Sequence, residues 1–129
     1  MFRSTLLAAL FPLFMGGPAW AQDAAAGEKV FLVCRVCHQI GPNAKSGVGP
    51  ALNGIVGRKA GTYAGFNYSV ANKSSNLTWD AATLEAYLPN PQAFMKGTKM
   101  TFAGLKEPQK VKDVIAFLKQ FQADGSKGS

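Results

Sequence analysis

Cys34-Arg-Val-Cys-His38 gathers both cysteines and the only histidine of the 129-residue chain into five consecutive positions. The C-x-x-C-H pattern predicts covalent haem attachment. On a helical turn, residues three apart share a face, so two thiols can each add to a vinyl group of one porphyrin while the adjacent imidazole meets the iron. A fold built on this motif has to wrap a broad apolar ring. Competing readings are weaker. A structural zinc site needs four Cys or His ligands, and this chain has two cysteines and one histidine. A thioredoxin-like dithiol would sit in a β-α-β pattern that the sequence lacks. A disulfide across so short a loop would stabilise little.

Residues 1–21 have the layout of a secretory signal peptide. Arg3 precedes an apolar run from Leu6 to Met15, broken at Gly16-Gly17-Pro18 and followed by Ala19-Trp20-Ala21. The run is about half the ~20 residues that a membrane-spanning helix needs, so export to the periplasm is expected rather than retention as an anchor. Cleavage after Ala21 would expose Gln22, whose amine can close on its own side-chain amide as pyrrolidone carboxylic acid. An intact mass without loss of ammonia would count against that closure. The remainder, 22–129, suits one domain. Without Arg3, thirteen basic residues face seven acidic ones, a formal charge of +6. This balance predicts acidic docking surfaces as partners; compartment and the absence of a recognised motif argue against nucleic acid.

Helical patterning dominates and nothing alternates convincingly as strands, so the expected fold class is all-α with long loops. Asp23 is a candidate N-cap for a helix over 24–36, with Val30, Phe31, Val33 and Cys34 toward its buried side. A second helix is expected over 80–88, started by Thr78 or Trp79 and ended by Pro89. Asn90-Pro91 restarts a short turn through Met95. The clearest helix runs over 108–122, where Val111, Val114, Ile115, Leu118 and Phe121 form one apolar face. Segments 41–67 and 96–106 lack periodicity, as expected of loops that wrap a cofactor, and the tail from Ala123 reads as frayed.

With Met1 and Met15 lost in the signal, only Met95 and Met100 remain as thioether ligands. Met95 follows Ala93-Phe94 at the end of a short turn and reads as packing. Met100 lies in an aperiodic loop where Gly97 permits a sharp turn, and this context favours it as the partner of His38.

Beyond Cys34-x-x-Cys-His38, the chain carries Val48-Gly-Pro-Ala-Leu-Asn-Gly, Gly57-Arg-Lys-Ala-Gly61, Gly65-Phe-Asn-Tyr68, Ala71-Asn-Lys73, Trp79 and Gly97-Thr-Lys-Met-Thr-Phe-Ala-Gly104. In that order these motifs resemble the class I cytochromes c, and most nearly the bacterial cytochrome c2 type. The resemblance implies the small class I fold, helices and long loops around one covalent haem c, with His38 and Met100 as axial iron ligands. It implies that the Pro50 carbonyl accepts the His38 Nδ1 proton, that Arg58, Tyr68 and Trp79 surround the haem propionates, and that Asn72, Tyr87 and Thr98 form a polar cluster beside the methionine. Gly27 and Phe31 match the place where the first helix crosses the last. Lys45, Lys96, Lys99 and Lys106 supply part of the family's lysine ring around the haem edge. Val33, Gln92 and Ala93 depart from it.

The implied function is that of a soluble, monomeric electron carrier, not an enzyme. It would run between a membrane quinol-oxidising complex of the bc1 type and a photosynthetic reaction centre or terminal oxidase, with no stable membrane insertion. The alternative is a ligand-binding haem sensor with an open iron site. A peroxidase-like enzyme would need a distal acid or base, and no second histidine exists to serve.

Overall fold

The computed structural model describes residues 11–13 and 22–128. Apart from Phe11–Leu13, the expected signal segment lies outside the described residues. Among these described residues five helices follow in order: α1 (Ala24–Phe31), α2 (Val70–Ser74), α3 (Ala81–Tyr87), α4 (Pro91–Phe94) and α5 (Pro108–Lys119). Among the described residues there is no sheet, only isolated antiparallel bridges at Lys59–Thr78 and Phe121–Lys127. The all-α expectation therefore holds, and no described helix is long and apolar enough to cross a membrane.

Short polar side chains set where the helices begin. Asp23 caps α1 by accepting from the Ala25 and Ala26 amides (3.0 and 3.2 Å). Asn90 accepts from Ala93 at 3.2 Å, ahead of Pro91 at the first position of α4. Three boundaries differ from expectation. Asp80 caps α3 instead of lying inside it, its carboxylate accepting the Thr83 N–H at 2.8 Å. The last helix stops at Lys119. The first helix ends at Phe31, and residues 32–37 continue as turns. The shared face survives this change, because Cys37 N–H and His38 N–H both donate to the Cys34 carbonyl (3.1 and 2.9 Å). Val33, expected to be buried, is 53% exposed.

The core centres on the crossing of α1 and α5, by far the largest helix interface. Gly27 makes this possible: a Cβ there would overlap the Asp113 carbonyl oxygen and stand 2.9 Å from Phe117 Cβ. One turn on, Phe31 and Phe117 pack with ring centroids 5.1 Å apart, both fully buried. Asp113, also buried, ties the crossing to the start of α1 by accepting the Asp23 N–H at 3.1 Å. Leu84 and Tyr87 of α3, with Leu88 at its C-cap, join the same cluster as Val114 and Leu118 of α5.

The C-terminal segment is ordered, contrary to the frayed reading. Gln122 N–H donates to the Ser126 carbonyl (2.8 Å) and Gly128 N–H to the Gln120 carbonyl (2.7 Å), while Gly125 is buried against Gly41.

Candidate functional site

Between the α3–α5 side of the core and the loops 33–72 and 98–102 lies a cleft of about 350 Å³. Such a volume falls within the range of small-molecule and cofactor sites. Its walls are largely apolar, with Leu52, Ile55, Trp79, Leu84, Leu88, Val114 and Leu118 among them. Every site residue expected from the sequence borders it: Cys34, Cys37, His38, Pro50, Arg58, Tyr68, Asn72, Trp79, Tyr87, Thr98 and Met100. Met95 does not. It is buried in the core, as expected of packing.

The His38 side is built on backbone groups. His38 Nδ1 lies 2.7 Å from the Pro50 carbonyl oxygen. A carbonyl can only accept, so Nδ1 carries the proton and the Nε2 lone pair is left for another partner. Burial lowers the His38 pKa, and the Pro50 bond opposes that shift in part. The neutral ring that results can act as a ligand. Gly49, whose importance sequence reasoning missed, lies against the imidazole: a Cβ there would come within 2.5 Å of Cε1 and 2.7 Å of Nδ1. Only its place next to Pro50 hinted at this. Burial, reinforced by the neighbouring Cys37, pushes the Cys34 thiol up to about 11, so this sulfur is a neutral thiol at ordinary pH.

Met100 is held through α3. The Tyr87 hydroxyl donates to Met100 Sδ at 3.1 Å, and burial raises the Tyr87 pKa, so the phenol stays protonated to do so. The Thr98 side chain hydrogen-bonds the Tyr87 hydroxyl, and its Oγ1 accepts the Met100 N–H at 3.2 Å. Gly97, at φ +89°, supplies the left-handed turn before this cluster. The three polar residues expected beside the methionine are thus placed unequally: Tyr87 and Thr98 contact it, whereas Asn72 makes no such bond.

Asn72 Oδ1 is the one buried side-chain oxygen or nitrogen among the described residues without a hydrogen-bond partner. A buried acceptor is normally satisfied, and Asn72 faces the cleft, where a bound polar group could meet it. Arg58 is half-buried and directs Nη1 to the Asn53 carbonyl (2.8 Å) and Nη2 to that of Ala51 (3.4 Å), with its guanidinium 4.9 Å from the Tyr63 ring centre. Desolvation lowers its pKa, an effect opposed by Tyr68 and Tyr63. The Tyr68 hydroxyl accepts the Tyr63 N–H at 3.1 Å, and Trp79 packs on Tyr87 with centroids 4.7 Å apart.

Two thiols, an imidazole poised through Nε2 and a thioether around one apolar cleft form a donor set that suits haem iron and its porphyrin. A hard oxygen-binding cation would find no carboxylate among the lining residues.

The profile of the cytochrome c family matches residues 24–122. Cytochrome c2 of Blastochloris viridis is 59% identical over 110 residues, covering 85% of this chain and 87% of the relative. Cytochrome c2 of Rhodomicrobium vannielii is 61% identical over 98 residues, covering 76% and 78%. The solved structure of cytochrome c2 from Rhodospirillum centenum superposes with a TM-score of 0.74 at 44% identity, covering 78% of this chain and 98% of its own.

Proposed function

Since the chain belongs to the cytochrome c family, we propose that it is a diffusible, monomeric periplasmic shuttle, taking one electron from a membrane quinol-oxidising complex of the bc1 type and delivering it to a photosynthetic reaction centre or a terminal oxidase. It is a single-haem electron carrier with one covalently attached haem c, an electron-transfer protein and not an enzyme. The observation that supports the haem-carrier reading is the convergence of Cys34, Cys37, His38 and Met100 on one apolar cleft.

When bound, haem supplies the one-electron redox chemistry. The residues hold, orient and shield it. Cys34 and Cys37 would hold the porphyrin covalently as thioethers, each S–H adding across one vinyl C=C. His38 would hold iron through Nε2, its ring fixed by Pro50 and pressed by Gly49. Met100 would hold it through Sδ, oriented by Tyr87. Because the supports of both side chains are internal to the protein, little of the polypeptide would have to rearrange when an electron arrives or leaves. Arg58, Tyr68 and Trp79 serve the propionates, and Asn72 offers its unpartnered oxygen to the polar side of the site. Removal of residues 1–21 as a signal peptide accounts for delivery to the periplasm.

The test is the visible spectrum of exported wild type and Met100→Ala in both oxidation states. Wild type is expected to be low-spin, with the weak red-edge band of iron–sulfur ligation, and to resist carbon monoxide at neutral pH. The variant should lose the band and bind carbon monoxide. A wild type that lacks the band and binds carbon monoxide avidly would replace the shuttle by the haem-sensor reading.

A further inference from the structure

Beyond α5 the chain turns back on the loop that holds His38. Phe121 and Lys127 bridge, and the Asp124 carboxylate closes the turn by accepting both the N–H and the hydroxyl of Ser126 (2.9 and 2.6 Å). This turn sets Gly125, at φ +86°, directly on Gly41. A Cβ at Gly125 would overlap the Gly41 carbonyl and stand 2.8 Å from Asn53 Nδ2. Ala123 packs as closely on the neighbouring Gly54, with its Cα 3.0 Å from where a Cβ would be.

Asn53 is the group being covered. It is 5% exposed and joins the two ends of loop 41–53: Oδ1 accepts the Gly41 N–H at 2.8 Å and Nδ2 donates to the Gly41 carbonyl at 2.9 Å. Inside this closed loop, Gly49 N–H donates to the Cys37 carbonyl (2.8 Å) and Leu52 N–H to the Gln39 carbonyl (2.9 Å). Between those two anchors stands Pro50, whose carbonyl accepts from His38. Two buried hydrogen bonds on one amide side chain, sealed from water by backbone at van der Waals contact, are strong where they are dry and open to competition from water where they are not.

We propose that the C-terminal turn 121–128, acting through Asn53, is a positioning element for His38 that keeps the Pro50 carbonyl on the imidazole. The inference rests on His38 being an axial ligand. A carbonyl that accepts from Nδ1–H enriches Nε2 in electron density, which favours the ferric state. Loosening the clamp therefore lowers the donation and raises the reduction potential.

The experiment uses haem-loaded protein truncated after Gln122, together with Gly125→Ala in the full chain. The truncation removes the cover without introducing a clash. Proton exchange at the Gly41 amide and at His38 Nδ1, followed by NMR in the reduced state, is expected to quicken about tenfold, the protection that one buried hydrogen bond provides. Exchange at Val114 and Ile115, in the centre of α5, should stay unchanged, and the potential should rise. If both variants lose only melting temperature, with His38 exchange and potential as in wild type, the turn is merely structural and the proposal fails. A wild type without the spectrum of histidine-ligated low-spin iron would instead overturn the reading of His38 itself.

Discussion

Among the described residues the Tyr87 hydroxyl is the one side-chain group that bonds Met100 Sδ, and Tyr87→Phe removes that bond together with the one between the hydroxyl and the Thr98 side chain. The ring keeps its contacts to Trp79 (4.7 Å) and Phe94 (5.8 Å), and Thr98 keeps the Met100 amide. A net hydrogen bond is worth roughly 1 kcal/mol, and sulfur is a weak acceptor, so about 1 kcal/mol is the ceiling. The bond draws density from a sulfur that would otherwise donate to iron, and so favours the ferrous state. Its loss must lower the reduction potential. On the one-electron scale, where a tenfold change corresponds to about 59 mV, 1 kcal/mol is about 40 mV, so a fall of roughly 20 to 40 mV is expected. A spectroelectrochemical titration measures it, with the red-edge band confirming that Met100 remains bound. An unchanged or higher potential, with that band intact, would refute the claim that Tyr87 tunes the thioether.

Two further predictions concern the scaffold. Gly27→Ala forces a methyl into the rigid Asp113 backbone and parts Phe31 from Phe117, which should cost about 3 kcal/mol in guanidinium unfolding, the upper end of the overpacking range; a loss below about 1 kcal/mol would mean that the helices part without cost. The Thr83 amide holds the Asp80 carboxyl below its ordinary 3.8, so its contribution to stability is present above that value and lost as pH falls through the depressed one. The melting temperature of Asp80→Ala should therefore lie below wild type at neutral pH and converge on it in acid, and a gap that widens in acid would reverse the assignment.

Legibility in the sequence followed the range of the cause. The amphipathic face of α5 repeats over three turns and is readable, although the pattern overran the helix end by three residues, and the motif around Cys34 lies along one side of the candidate site. Helix α2 was invisible: five residues, Val70-Ala-Asn-Lys-Ser74, bury none of their number and depend on the Ser69 cap, whose Oγ accepts from Asn72 at 3.1 Å. The C-terminal turn misled because Gly, Ser and Lys are the composition of a frayed end. Gly125 is required there by the approach of Gly41, a partner more than eighty positions away. Asn53 and Gly49 escaped for the same reason: their parts in the site consist of what they touch, which no local pattern encodes. Pro50, Tyr87 and Thr98 were reachable only through the resemblance, and the geometry supplies the physical reason for each.

The lysines show why charge read from sequence differs from charge in place. Of the four expected at the docking edge, Lys99 donates to the Asn67 carbonyl (3.2 Å) and Lys106 to the Pro89 carbonyl (2.6 Å). Each spans two segments that frame the site: Lys99 joins the Met100 loop to the Tyr68 loop, and Lys106, with the Leu105 N–H on the Leu88 carbonyl (2.9 Å), joins the end of the Met100 loop to the end of α3. Carbonyl oxygens do not neutralise an ammonium, so both still contribute to the long-range field, which acts over about 8–10 Å at physiological salt. They contribute it from fixed positions. Around the cleft mouth the exposed side chains include Val33, Val36 and Val48, and Lys99 lines the cleft beside them while Lys106 stands outside it, so a partner meeting this surface would find apolar side chains and anchored cations together. Such a surface suits a carrier that must meet partners quickly and leave them quickly, because exposed charge raises the encounter rate without building buried ion pairs that would slow release.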